Sequence, residues 1–428
     1  MTGFMKERWI DKYRSAADLI GPSRDVLVAF NANIDEVMQV EELDLDLSGV
    51  EPRELEKASG MEQLKSMLKY CIENSENREI ELSELDHGFE NSDEHVGGQA
   101  GIMANFLSRL GNGVIFYTPF LSEELAEKMD EKVLYPVVEG DFTLKNVRDA
   151  ANTDRTKRNL IFEYSGEQTG RVIFSRQLKG FGPYFRKGVE DSFPEIEENT
   201  DRIILSGFHD VEGNVEAKLK KSGQQIAKLE KPVHLEFVYR NDEVTQLVAE
   251  HVLPEADSIG MDEEELGKLI DLLNLELENS EQLSLGDAFH AAKQLIDRFD
   301  MQRCHVHTYR FHACVVKEDY DRSTRRIRDA MLFGELCAIK NAEKGEIPGA
   351  EDLNEFDMED KHIHELKDLE HFQDYFDIHD FVETGTAEVE GHRIAAIPTI
   401  IHEDPERLVG MGDLISAGAF VAELNQLP

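Results

Sequence analysis

The feature that most constrains this chain's fold is the regular alternation of short apolar runs with amphipathic stretches through its second half. RIILSG at 202–207 is followed by a helical pattern over 212–229, then PVHLEF at 232–237 and a helix near 243–251. DSIGM at 257–261 leads into an acidic helix over 263–273, and the pattern over 285–299 runs into CHVHT at 304–308. Continuous apolar runs of this length are buried on both faces, so strand–helix alternation specifies a mostly parallel sheet covered by helices on both sides. The run DVLVAFN at 25–31, a helix over 101–110 and the strand GVIFYT at 113–118 extend the same pattern toward the N-terminus.

Two stretches break the alternation. Residues 41–95 are polar and acidic with scattered helical patterning, and 159–185 reads as antiparallel strands joined by glycine-containing turns. Both are assigned to a small α+β lid, discontinuous in sequence, over a large doubly wound sheet domain. The expected division is 1–33, 97–140 and 187–428 for the large domain, with 34–96 and 141–186 for the lid. Residues 343–377 are very acidic and read as surface helix and loop.

Charge narrows the function. In 428 residues, 88 Asp and Glu stand against 46 Lys and Arg, for a net charge of −42. Such a chain repels phosphate backbones, which disfavours a nucleic-acid role. The acids are spread through every expected helix rather than gathered in a tail, which suits a solvated acidic shell as in proteins of salt-accumulating halophilic archaea. Four cysteines (Cys71, Cys304, Cys314, Cys337) make no C-x-x-C and read as reduced thiols. The first residues form an amphipathic helix without an apolar signal core, and no window approaches 18 consecutive apolar residues. A cytoplasmic protein, monomeric or a small homo-oligomer and with no membrane partner, is expected.

Five short motifs carry the chemistry. Gly410-Met411-Gly412-Asp413 precedes an apolar helix. Glycines there let successive N–H groups face one concavity, the helix aims its positive end at the same place, and Asp413 is a carboxylate able to accept a hydroxyl proton. By itself this is also what an N-capped glycine turn looks like. Asn31-Ala32-Asn33-Ile34-Asp35 lies where the first strand ends, the end at which open α/β sheets bind ligands. Asn33 and Asp35 supply an amide and a carboxylate suited to sugar hydroxyls. Gly97-Gly98-Gln99 opens the next helix and lets backbone approach a ligand, while no Walker sequence occurs anywhere. His234-Leu235-Glu236 places His and Glu on one face of a strand, and Asp262–Glu265 opens a helix. Carboxylates of this kind suit Mg²⁺, although acids in a first helical turn are favoured by the dipole alone. His209, His305, His307 and His312 read as strand-end or core residues rather than as a zinc cluster.

Taken in order and spacing, these five motifs resemble the ADP-dependent sugar kinases of archaea, glucokinase and phosphofructokinase, within the ribokinase-like superfamily, and the resemblance spans nearly the whole chain. It implies Asp413 as catalytic base, Gly410 and Gly412 in the anion hole, and Asn33, Asp35, Gly98 and Gln99 on the sugar. It also implies Glu236 and Glu265 in the magnesium shell, with ADP as phosphoryl donor. Asp262 stands where the family's N-x-x-E element has Asn.

The choice of sugar is approached through charge. Between Arg155 and Lys187 eight basic residues face only Glu163 and Glu167. Lys157, Arg158, Arg171, Arg176 and Lys179 are the candidates for an anionic ligand, which favours fructose 6-phosphate, while Glu94 is the candidate for a glucose hydroxyl. Packing of the lid on the acidic domain is the alternative reading of the basic segment. An ADP-dependent phosphofructokinase is expected, with glucokinase or dual activity as the alternative. Beyond those lie an ATP-dependent relative and a non-catalytic nucleotide-binding protein.

Overall fold

The computed structural model describes residues 2–19, 24–43, 45–83, 89, 92–164, 170–277, 283–354, 359–402 and 409–425. The large sheet is built on seven parallel strands in the spatial order Arg303–His307, Ser258–Asp262, Val233–Glu236, Arg202–Leu205, Asp25–Ala29, Gly113–Tyr117 and Leu134–Glu139. Antiparallel strands extend both edges: Phe311–Lys317, His392–Pro398 and Thr386–Val389 on one side, Asp141–Asn146 on the other. Helices cover both faces, as double-sided burial of runs such as Arg202–Leu205 and Val233–Glu236 requires. The C-terminal helix Met411–Ala422 packs along Thr324–Lys344, which is why its sequence is apolar nearly all round.

Local chemistry sets the helix starts. Asp262 and Glu265 cap Glu263–Leu273 reciprocally, and Ser284 and Asp287 do the same for Leu285–Phe299. The latter helix then buries Leu285, Ala288, Phe289, Ala292, Leu295 and Ile296, one face at helical spacing.

The second sheet has the order Lys57–Ala58, Arg78–Leu82, Gly170–Ser175, Arg158–Tyr164, Asn33–Gln39, Asp93–Gly97. Its two faces differ. Met38, Ile80, Leu160, Phe162, Val172 and Phe174 form a separate core with Leu64, Met67, Leu68 and Cys71 of helix Gly60–Asn74. By the two-residue period of a strand, Asn33, Asp35, Asn159 and Arg171 lie on the opposite face.

That face meets the large domain, where Lys157 pairs with Asp210. The antiparallel pairing of Arg158–Tyr164 with Gly170–Ser175 matches the expectation for this segment. Its connecting turn at 165–169, with Glu167, lies outside the described residues.

Two parts of the expected lid belong elsewhere. Asp141–Asn146 pairs with Leu134–Glu139 at the edge of the large sheet, and Phe181 and Phe185 are buried in the large core. A hairpin and two aromatics carry no sequence mark of which sheet they will join. All four cysteines are unpaired and buried, and among the described residues no helix is long and apolar enough to cross a membrane.

Candidate active site

Asp413 stands in the first turn of Met411–Ala422, preceded by Gly410 in the left-handed region at φ 79°. The first N–H groups of a helix have no intrahelical partner, so this turn aims donors and the positive helix end into the space beside Asp413. Below it, His307 closes the strand Arg303–His307. A Cβ at position 412 would lie 2.8 Å from the His307 ring, so glycine alone lets the turn settle there. Asp413 keeps part of its surface open, yet protein surrounds it deeply. Desolvation, helped by the nearby charges of Glu236 and Asp35 and opposed by His307, pushes its carboxyl up to about 8.

Glu236, at the carboxyl end of its strand, is almost wholly buried. Burial works to raise its carboxyl, but His234 (Nε2 to Oε2 3.2 Å) and His307 (Nε2 to Oε1 3.5 Å) outweigh that and hold it at about 2. Glu265 is pushed well above the usual carboxylate range, first by burial and then by the charges of Asp262, Glu236 and Asp413. One of its oxygens, Oε2, accepts from the Asp262 N–H at 2.9 Å. Asp262 performs the capping itself, through Oδ1 and the Glu265 N–H at 2.8 Å.

Mutual repulsion among Glu236, Glu265 and Asp413 is what a cation relieves. Their hard oxygen donors suit Mg²⁺. Among the described residues no three His, Cys, Asp or Glu side chains gather into a complete cage.

Across the cleft, Asp35 is buried and its Oδ1 accepts from Asn33 Nδ2 at 2.5 Å and Asn159 Nδ2 at 3.2 Å. A Cβ at Gly97 would fall 2.2 Å from the Asp35 carboxylate, so glycine lets the two strands place this acid against the adjacent backbone. Gly98 forms the N-cap of helix Gln99–Arg109, and a Cβ there would stand 2.9 Å from Asn33 Oδ1. Gln99 Oε1 accepts from Asn31 Nδ2 at 2.8 Å. Asn31 Oδ1 also takes the Ser206 hydroxyl at 2.8 Å and the Ala100 N–H at 3.3 Å, so Asn31 pins the strand exit to the helix start.

The basic candidates divide. Burial pulls the Arg171 guanidinium below the usual range, against the charges of Glu163 and Asp35. Its Nη1 is buried without a protein partner, as are Asn159 Oδ1 and Gln177 Oε1. Arg176 is half-buried and Lys179 exposed. Lys157 is buried, its Nζ 2.7 Å from Asp210 Oδ1, and this contact helps hold Asp210 at about 2 against its burial.

Arg158 and Glu94, expected on a ligand, are engaged with protein groups. Strand alternation turns both to the face opposite Asp35. There Arg158 bonds Glu36 (2.7 Å), Glu94 (2.6 Å) and Glu124 (3.1 Å), and Lys128 takes the other Glu94 oxygen at 2.9 Å.

Sequence reading assigned no site role to His307, Asn31, Asn159, Ser206 or Gln177. The position of His307 at the carboxyl end of a parallel strand was a usable signal. For Asn159 and Gln177 only the strand register supplies one.

Residues 24–422 match the model of the ADP-specific phosphofructokinase/glucokinase conserved region. The chain is 30% identical over 375 residues to the ADP-specific phosphofructokinase of Pyrococcus abyssi, covering 80% of this chain and 81% of that one. It is 27% identical to the ADP-dependent glucose/glucosamine kinase of Pyrococcus furiosus, covering 97% and 99%. Its fold matches that of a solved ADP-dependent kinase complex with fructose-6-phosphate and ADPbetaS, with a TM-score of 0.81, 24% identity and coverage of 99% and 98%. The chain is therefore a member of the ADP-specific phosphofructokinase/glucokinase family.

Proposed function

We propose that this protein transfers the β-phosphoryl group of ADP to O1 of fructose 6-phosphate, giving fructose 1,6-bisphosphate and AMP. The observation that carries the reading is Asp413, a desolvated carboxylate at a helix start, within electrostatic reach of Asp35 across the cleft. A base raised toward neutrality is matched to taking a hydroxyl proton at physiological pH.

Asp35, held by Asn33 and Asn159, orients the sugar hydroxyls. Asp413 accepts the proton of the 1-hydroxyl as its oxygen attacks phosphorus, and the N–H groups at Gly410–Gly412 receive the charge that gathers on the phosphoryl oxygens. Glu236 and Glu265 are the residues that would hold Mg²⁺, which when bound neutralises phosphate charge. Arg171, with a buried Nη1 lacking a protein partner on the face that carries Asp35, supports a phosphorylated sugar over glucose. The engagement of Glu94 by Arg158 and Lys128 weakens the case for a glucose hydroxyl there.

The test is a coupled assay in high salt with Mg²⁺, crossing ADP and ATP against fructose 6-phosphate and glucose. Turnover with ADP and fructose 6-phosphate well above the other three combinations is expected. Preference for glucose or for ATP would overturn this assignment.

A further inference from the structure

A second pocket of about 450 Å³ opens at the other end of the large sheet, at the amino-terminal ends of its strands. Arg202, Ser258 and Arg303, each the first residue of its strand, line it together with Tyr320, Arg322 and Phe420. The helix that carries Asp413 at its start brings Phe420 to this pocket seven residues later, about 10 Å away at 1.5 Å per residue, and Glu423 follows as its C-cap.

The charge balance of the pocket floor is incomplete. Arg303 is fully buried and Arg202 nearly so, and they share one carboxylate: Glu423 lies 2.8 Å from Arg303 Nε and 3.4 Å from Arg202 Nη1. The Tyr320 hydroxyl also donates to Glu423, at 2.8 Å. The Phe420 carbonyl accepts from Arg202, and the Phe420 ring lies under both guanidiniums. Three guanidinium donors, Arg202 Nε, Arg303 Nη2 and Arg322 Nε, still have no hydrogen-bond partner. The two buried guanidiniums share Glu423 as their carboxylate partner, and the unpartnered donors beside the cavity are what an anion would satisfy.

The acids of the rim are partly engaged. Asp201 and Asp257 accept backbone N–H groups, Asp321 pairs with Arg322, and Asp319 is exposed at the mouth.

We propose that this pocket binds a compact oxyanion, a single phosphate or carboxylate head group, and that binding is communicated to Glu236. The connection is a chain of hydrogen bonds. Arg303 Nη1 donates to Ser258 Oγ at 3.2 Å, Ser258 Oγ meets His234 Nδ1 at 2.8 Å, and His234 Nε2 reaches Glu236 at 3.2 Å. His234 Nε2 also lies 3.0 Å from Ser416 Oγ, so the ring is gripped on one side by Ser258 and on the other by Ser416 and Glu236. An anion that draws Arg303 away from Ser258 changes what holds His234, and through it Glu236.

The test is calorimetric titration of the full chain with inorganic phosphate and, separately, succinate at fixed ionic strength. Wild type, Arg303→Lys, Arg322→Gln and the cleft variant Arg171→Gln are compared. Saturable binding by at least one anion is expected, weakened about tenfold or more in Arg303→Lys and Arg322→Gln and retained in Arg171→Gln. The phosphate and succinate arms distinguish the two head groups. Arg322→Gln leaves the buried Arg303–Glu423 pair intact and keeps the test valid if Arg303→Lys fails to fold. No saturable binding, or loss only in Arg171→Gln, overturns the site. Binding that leaves turnover unchanged in wild type overturns the connection to Glu236.

Discussion

Asp413 embodies a conflict between stability and activity. Its carboxyl is raised in the folded protein, so the fold binds that proton more tightly than the unfolded chain does. Stability from this group is therefore present at low pH and declines as pH rises from the ordinary Asp value through about 8. Asp413→Asn should lower turnover by about 10²–10⁴-fold with little change in sugar affinity. It should also raise the melting temperature near pH 8, because a neutral amide carries no desolvated charge. Steady-state kinetics and thermal melts of the same preparation check both; an active variant sinks the assignment of the base. The opposite sign holds at Asp210, whose lowered carboxyl contributes stability above the ordinary range and loses it as pH falls toward about 2. Lys157→Met strands that buried carboxylate and should cost about 3–5 kcal/mol in denaturant unfolding.

At the scale of elements, the lid sheet sorts function by strand parity. Arg158 and Arg171 belong to the same basic segment, yet one lies on the Glu36 face and the other on the Asp35 face. Arg171→Gln should raise the KM for fructose 6-phosphate about tenfold or more, the scale of a charged hydrogen bond, while leaving folding largely intact. Arg158→Leu should spare that KM and instead lower stability, since Glu36, Glu94 and Glu124 lose their shared cation. Equal effects of the two substitutions on KM would refute the parity argument. The C-terminal helix shows a complementary division along its length. Its first turn carries Asp413, and near its other end Phe420 lines the second pocket, with the C-cap Glu423 pairing the arginines there.

For the whole molecule, a net charge of −42 dispersed over the surface makes folding a contest between core burial and self-repulsion. At molar salt the Debye length shrinks to about 3 Å and repulsion between exposed acids falls away. The melting temperature should rise from low to molar KCl; a flat profile excludes the halophilic reading. Removing divalent metal with a chelator should abolish turnover and leave the fold intact, because the carboxylates that would hold it sit on strands and helix starts secured by other contacts.

The alternation of apolar runs determined the parallel sheet, because double-sided burial requires continuous hydrophobic strands whatever their neighbours. The motifs at strand ends and helix starts singled out Asn33, Asp35, Glu236 and Asp413 as candidates, because open α/β sheets bind ligands at the carboxyl ends of their strands, and the likeness to the sugar kinases added Glu265. Which basic side chains face the cleft was decided only in the tertiary structure. A strand turns every second residue away, and a shift of one position would exchange Arg158 for Asn159. The joining of Asp141–Asn146 to the large sheet, His307 beneath Gly412 and the pairing of Lys157 with Asp210 were likewise settled by contacts distant in sequence. No composition or spacing encodes these, since each depends on how separate elements meet.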